Sequence, residues 1–122
     1  MKTITVSKSK SDFQPIHLKY CESFFTKLIG LMFSREIKSD GGVILAESSE
    51  SRLNTSIHML FMNFDLAVLW LDKNLCVVDK VLAKKWYPFY FPKKPAQYVL
   101  ELHPAQFSAY SIGDQLVFSN NT

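Results

Sequence analysis

Polar and apolar residues alternate through K-T-I-T-V (residues 2–6) and again through I-H-L-K-Y-C (16–21), with Ile16, Leu18 and Tyr20 on one face. A period of two predicts strands with one buried face. Over residues 23–32 the period lengthens: Phe24, Phe25, Leu28, Ile29 and Met32 recur at helical spacing, with Ser23 placed to cap the stripe. Gly30 inside that stripe weakens a helix by roughly 1 kcal/mol relative to alanine and instead permits close backbone approach. Gly41-Gly42 signals a turn into the apolar run V-I-L-A, and residues 47–54 are polar and loop-like.

Two apolar runs, A-V-L-W-L-D and L-C-V-V-D-K-V-L, flank Lys73-Asn74 and predict a β-hairpin. Lys-Asn lacks glycine's freedom at positive φ and is a weaker turn than Asn-Gly. Residues 86–95, W-Y-P-F-Y-F-P-K-K-P, hold three prolines and are excluded from a central strand. Q-Y-V-L-E-L is strand-like, P-A-Q-F-S-A-Y-S opens as a helix with proline in its first turn, and Ile112-Gly113-Asp114 turns into a closing strand. No repeat or linker divides the chain. The pattern predicts one β-rich domain over residues 1–118, with a disordered tail at 119–122. Its fold class is mainly β (α+β): a sandwich or distorted barrel of about seven or eight short strands with one or two short helices.

Composition changes this picture little. The 122 residues are 48% hydrophobic and 20% charged, which suits a soluble globular domain with its own core. An aromatic content of 14%, with ten phenylalanines, adds weight to β structure. A net charge of +3 falls short of the clustered basic surface of a dedicated nucleic-acid binder. The N-terminus lacks an apolar run and no segment approaches the ~20 apolar residues that span a bilayer, so the expected location is cytoplasmic, with no transmembrane segment. Cys21 and Cys76 are expected as buried, reduced thiols, and no C-x-x-C spacing writes a zinc site.

Candidate chemistry centres on N-T-S-I-H-M-L-F-M (54–62), where His58 interrupts an apolar run. His58 has three readings: a core histidine with a satisfied hydrogen bond, an anchor in a ligand pocket with Glu101 and Asp65, or a catalytic residue. A buried Glu101 must be paired or protonated, and pairing with His58 would satisfy both. His58, Met59, Met62 and Cys76 are soft donors that could suit Cu(I), but methionine in an apolar run is usually core, so no metal and no cofactor are assigned. There is no nucleophile elbow, no phosphate loop and no activated cysteine. In the proline-rich loop Trp86, Tyr87, Phe89, Tyr90 and Phe91 lie between Lys84-Lys85 and Lys93-Lys94. They either fold over an open end of the sheet or form a surface that meets a protein partner, stacks on single-stranded nucleic acid or sits at a membrane interface.

Four stretches together resemble one family: G-L-M-F-S-R at 30–35, S-I-H-M-L-F-M-N-F at 56–64, V-L-W-L-D at 68–72, and Y-V-L-E-L at 98–102 followed by I-G-D at 112–114. Their order and spacing are similar to those of domain of unknown function 192, an uncharacterised group of bacteria and archaea. The resemblance implies a compact β-rich domain and no assigned activity. Two departures stand out. Asp65 occupies the place of the family's proline and Ala67 that of its aspartate, and H-P-A-Q replaces a glycine-containing turn after L-E-L. Residues two apart in a strand share a face, so Asp65 could reach towards the site that an aspartate at 67 would serve. The expected function is that of a non-enzymatic module binding a small molecule or a protein, with a pocket near His58 and Glu101 and the 86–92 loop as its rim. The alternative is an enzyme using His58 as general acid/base assisted by Glu101.

Overall fold

The computed structural model describes residues 2–9, 14–23, 31 and 34–120. Seven strands form a single sheet: β1 (Thr3–Lys8), β2 (Ile16–Cys21), β3 (Gly42–Ser51), β4 (Leu66–Leu71), β5 (Val77–Ala83), β6 (Ala96–Leu102) and β7 (Leu116–Asn120). Their order across the sheet is β5-β4-β6-β3-β2-β1-β7, antiparallel everywhere except between β2 and β3. The sheet curls into a half-barrel, so the barrel-like architecture is the one the chain adopts.

The curl brings the two edge strands together at one end. Cys76, just before β5, bridges Gln115, just before β7. Around that bridge Val77 N–H donates to Asp114 O at 2.9 Å and Leu116 N–H to Leu75 O at 3.0 Å. Farther along the gap, Lys80 Nζ donates to the carbonyls of Phe107 and Tyr110 at 2.9 and 2.8 Å. Those carbonyls belong to the 3-10 helix Pro104–Ala109 and the residue after it, which cap the hollow. His103 caps this helix, its Nδ1 accepting from Ala105 N–H.

Two cores lie on opposite faces of the sheet. The inner core gathers Ile4, Val6, Leu18, Ile44, Leu69, Leu100 and Leu116, drawn from both edges of the curl. The outer core gathers Cys21, Val43, Leu45, Val68, Trp70 and Val99 with Ile57, Met59 and Met62 from outside the sheet. β4 is buried at every position because it lies beneath both. That explains its continuous apolar run, L-A-V-L-W-L, in place of alternation.

The strands depart from the sequence pattern in three places. β3 continues through Ser51, although residues 47–51 are polar, because β6 pairs along it to Ala96 past an irregularity after Ala46. β7 runs to Asn120, with Ser119 and Asn120 paired to Thr5 and Ile4 where a disordered tail is expected; residues 121–122 lie outside the description. In the β4–β5 turn the positive φ falls at Leu75 (66°), not at Asn74. Asp72 organises this turn by accepting from Asn74 N–H and Cys76 N–H at 2.9 and 3.0 Å. The helical stripe over 24–32 lies outside the described residues. Cys21 and Cys76 are both free thiols, but only Cys21 is buried; Cys76 is half-buried where the two edges of the sheet meet.

Candidate functional site

His58 lies in a strap that crosses the outer face of the sheet. Thr55 begins it, its carbonyl accepting from Trp70 Nε1 at 2.7 Å. Ile57 then exchanges backbone hydrogen bonds with Tyr90, Met59 N–H donates to Tyr87 O, and Trp86 N–H donates to Met59 O at 2.7 Å. Strap and aromatic loop therefore form a short two-stranded ribbon. Ile57 and Met59 are buried beneath it, whereas His58 between them is only half-buried, so its ring turns away from the sheet. His58 Nδ1 accepts from Leu60 N–H at 3.2 Å, closing the turn that follows.

Glu101 sits elsewhere, on β6 between Val43 of β3 and Val68 of β4, and it faces the outer core. It is 6% exposed and accepts no hydrogen bond among the described residues. Burial pushes its carboxyl up to about 7. The Cys21 thiol is also raised, first by its own burial and then by the neighbouring Glu101. The backbone at Glu101 is packed against Gly42, whose φ is +140° and where a Cβ would lie 2.1 Å from the Glu101 carbonyl oxygen. Only glycine fits there. No hydrogen bond or ion pair joins His58 to Glu101 among the described residues. Beside Val43 a groove of about 550 Å³ opens between Thr3, His17 and Lys19 on the sheet and Ile37, Lys38 and Asp40 on the preceding loop.

Asp65 reaches neither of them. Its carboxylate accepts from Lys85 N–H at 2.9 Å and faces Lys84 Nζ at 3.5 Å. The Lys85 hydrogen bond and the two lysine charges outweigh partial burial and hold it below the usual carboxylate range. Ala67 is fully buried in the inner core, opposite Leu102. An aspartate at that position would thus point to the face of the sheet opposite Glu101. Among the described residues no group of three His, Cys, Asp or Glu side chains is placed to hold a metal.

The aromatic loop is pinned along its whole length. Lys84 N–H donates to Tyr90 Oη at 2.9 Å, Lys93 N–H to the buried Asp79 at 2.9 Å, and Arg52 Nε to Pro92 O at 3.0 Å. Tyr90 packs against the outer core. Trp86, Tyr87, Phe89 and Phe91 do not: each is 50–54% exposed, and Phe61 across the ribbon is 45% exposed. Phe61 meets Trp86 edge to face at 5.2 Å, and Phe89 stacks on Phe91 at 4.7 Å. Phe61 and Trp86 both hold left-handed backbone, φ 62° and 68°, a conformation rare for bulky residues. Leu53 and Arg52 extend the surface, with a shallow cleft of about 250 Å³ against Phe91.

The structure thus joins Asp65 and His58's strap to the aromatic loop, and sets Glu101 apart. Sequence reasoning did not include Arg52, Leu53 and Phe61 in this surface. One signal was present: M-L-F-M is four apolar residues in a row, more than a single buried face accommodates.

A half-barrel of this topology with an exposed aromatic ribbon defines the chain as a small β-rich domain. The family model for domain of unknown function 192, described as an uncharacterised group, matches residues 4–118, and the chain belongs to that family. A UPF0127 protein of Pyrococcus furiosus is 36% identical over 103 residues, 83% of this chain and 85% of that protein. Another from Thermococcus kodakarensis is 40% identical over 84 residues, 69% of this chain but only 52% of its own length. Against two such relatives the chain therefore spans little more than half of the longer protein. Two solved structures share the fold. One, a Sinorhizobium meliloti protein described as a candidate transcription regulator, has a TM-score of 0.83 at 16% identity over 96% of this chain and 92% of that one. The other, a Novosphingobium aromaticivorans protein of unknown function, has a TM-score of 0.81 at 18% identity, covering 94% and 83%.

Proposed function

We infer that the protein is a non-enzymatic binding module whose recognition surface is the aromatic ribbon formed by residues 86–91 and the strap at 57–61. One observation carries the reading. A loop whose backbone N–H groups donate to Asp65, Asp79 and Tyr90 and whose Pro92 carbonyl accepts from Arg52 nevertheless holds Trp86, Tyr87, Phe89 and Phe91 about half exposed. Rings on a rigid support lose little entropy on binding, which is how preorganised surfaces gain affinity. In this reading His58 supports the strap by fixing its turn. An enzyme built on His58 and Glu101 gains no support from the geometry, since His58 Nδ1 is engaged by Leu60 N–H and Glu101 faces the outer core.

The competing role for the rings is to cover the sheet, and stability separates the two. For the double variant Trp86→Ala, Phe89→Ala, melting temperature is expected within about 2 °C of the native protein, because exposed side chains contribute little to stability. Tyr90→Ala, which removes a ring packed on the core, is expected to lower it by several degrees. A double variant as unstable as Tyr90→Ala would show the rings to be architecture.

A further inference from the structure

We propose that the aromatic ribbon docks the protein onto the headgroup region of an anionic lipid bilayer. The proposal rests on the reading of the ribbon as a recognition surface and names its partner. Three features of the surface select a membrane over a protein. First, its rings stand on a ribbon held off the sheet, with Trp86 and Tyr87 beside Phe61, Phe89 and Phe91, all roughly half exposed. Tryptophan and tyrosine settle where an apolar layer meets water, their rings in the acyl boundary and their polar atoms among headgroups.

Second, the rings are bracketed by lysine. Lys84 and Lys85 precede Trp86, and Lys93 and Lys94 follow Phe91; all are exposed. Protein interfaces are depleted in lysine and favour arginine, whereas lysine stems snorkel along apolar surface towards anionic headgroups. Two acidic groups touch this lysine set: Asp65 faces Lys84 Nζ and takes the Lys85 backbone N–H, and the buried Asp79 takes the Lys93 backbone N–H, while the Lys93 and Lys94 ammonium groups form no ion pair among the described residues.

Third, Arg52 stands in the cleft beside Leu53 and Phe91, with its Nε committed to Pro92 O. Its terminal nitrogens make no hydrogen bond among the described residues and can receive a lipid phosphate, the bidentate partner a guanidinium fits. Leu53, 68% exposed, would enter the apolar layer next to it. The ribbon supplies the apolar area and the basic residues the charge attraction, the two contributions that hold an interfacial element on a membrane.

Trp86 supplies the readout. Trp70 is buried and bonded to Thr55 O, so it does not respond to lipid, whereas Trp86 is 54% exposed. The native chain is titrated with vesicles of phosphatidylcholine alone and with vesicles containing equal phosphatidylglycerol. A blue shift and sedimentation with the anionic vesicles are expected, at least tenfold tighter than with phosphatidylcholine and weakened by 0.5 M salt (~4 Å screening length). Lys93→Gln, Lys94→Gln is expected to cut anionic binding by about thirtyfold, at about 1 kcal/mol per lysine. Trp86→Ala, Phe89→Ala, confirmed folded by its melting curve, is expected to abolish sedimentation. Equal affinity for both vesicle types, no binding to either, or undiminished binding by the folded double variant would overturn the membrane proposal. If the vesicles fail while the double variant keeps native stability, recognition by the ribbon stands and its partner is a protein. If the double variant is destabilised as much as Tyr90→Ala, the recognition reading fails with it.

Discussion

Glu101 is a buried acid in an apolar row, and its consequences are felt through pH. Its folded carboxyl titrates at about 7 against an ordinary 4.5. Between those values the unfolded chain gives up the proton while the folded chain keeps it, so the folded state is disfavoured as pH rises through the window. Above 7 the loss is complete, roughly 3 kcal/mol at 1.36 kcal/mol per pH unit. Glu101→Gln removes the ionisation. Its melting temperature is expected close to that of the native protein near pH 4.5 and above it by pH 7.5, in melts across that range; a constant difference would mean the carboxyl is paired. Asp65 and Asp114 act in the opposite sense, since both lie below the usual range and lose their stabilising contribution as pH falls through it. Gly42 is the other residue with a singular demand. Gly42→Ala would drive a Cβ into the Glu101 carbonyl at positive φ, and a loss of more than about 2 kcal/mol in denaturant unfolding is expected.

At the scale of elements, the ribbon depends on one indole. Trp70 projects from β4 into the outer core and holds the start of the strap through its Nε1 bond to Thr55 O. Trp70→Phe keeps an aromatic ring but leaves that carbonyl unpaired, at a cost of about 1–3 kcal/mol. Native-state hydrogen exchange is expected to quicken at the Ile57 and Met59 amides more than at β1 or β2; uniform acceleration would deny the strap its local anchor. Much of this level was legible in the chain. Period-two alternation marked β1 and β2, the strand-like run Q-Y-V-L-E-L marked β6, and the Lys73-Asn74 interruption marked the β4–β5 hairpin. Glu47–Ser51 was illegible because a strand that pairs through its backbone needs no apolar side chains. The sequence also singled out His58, Glu101 and Asp65, yet not their separation. Which face each side chain occupies depends on register, and a neighbour across strands leaves no trace in local pattern.

At the scale of the molecule, the curl needs its edges held. Lys80 crosses the gap between β5 and the capping helix, its ammonium on the Phe107 and Tyr110 carbonyls and its charge 4.1 Å above the Phe107 ring. Lys8 meets Asp114 at 3.1 Å from the other side. Lys80→Met preserves the stem and removes the donor. It is expected to lower stability by about 1–3 kcal/mol in urea titrations while leaving vesicle binding through the ribbon unchanged. Loss of binding in parallel would mean that the inner core and the ribbon are not separable.

The position of β1 also sets an order of events during synthesis. Of these seven strands β1 is made before the others, yet it lies between β2 and β7, the seventh in chain order. Until residues 116–120 leave the ribosome, the outer edge of β1 has no partner and the inner core lacks Leu116. The sheet therefore carries an open strand edge until β7 is made, and its long-range pairing places it among slow-folding topologies. Nascent chains halted before β7 should be the protease-sensitive and chaperone-bound ones, and the last five residues of the sheet should convert them in one step.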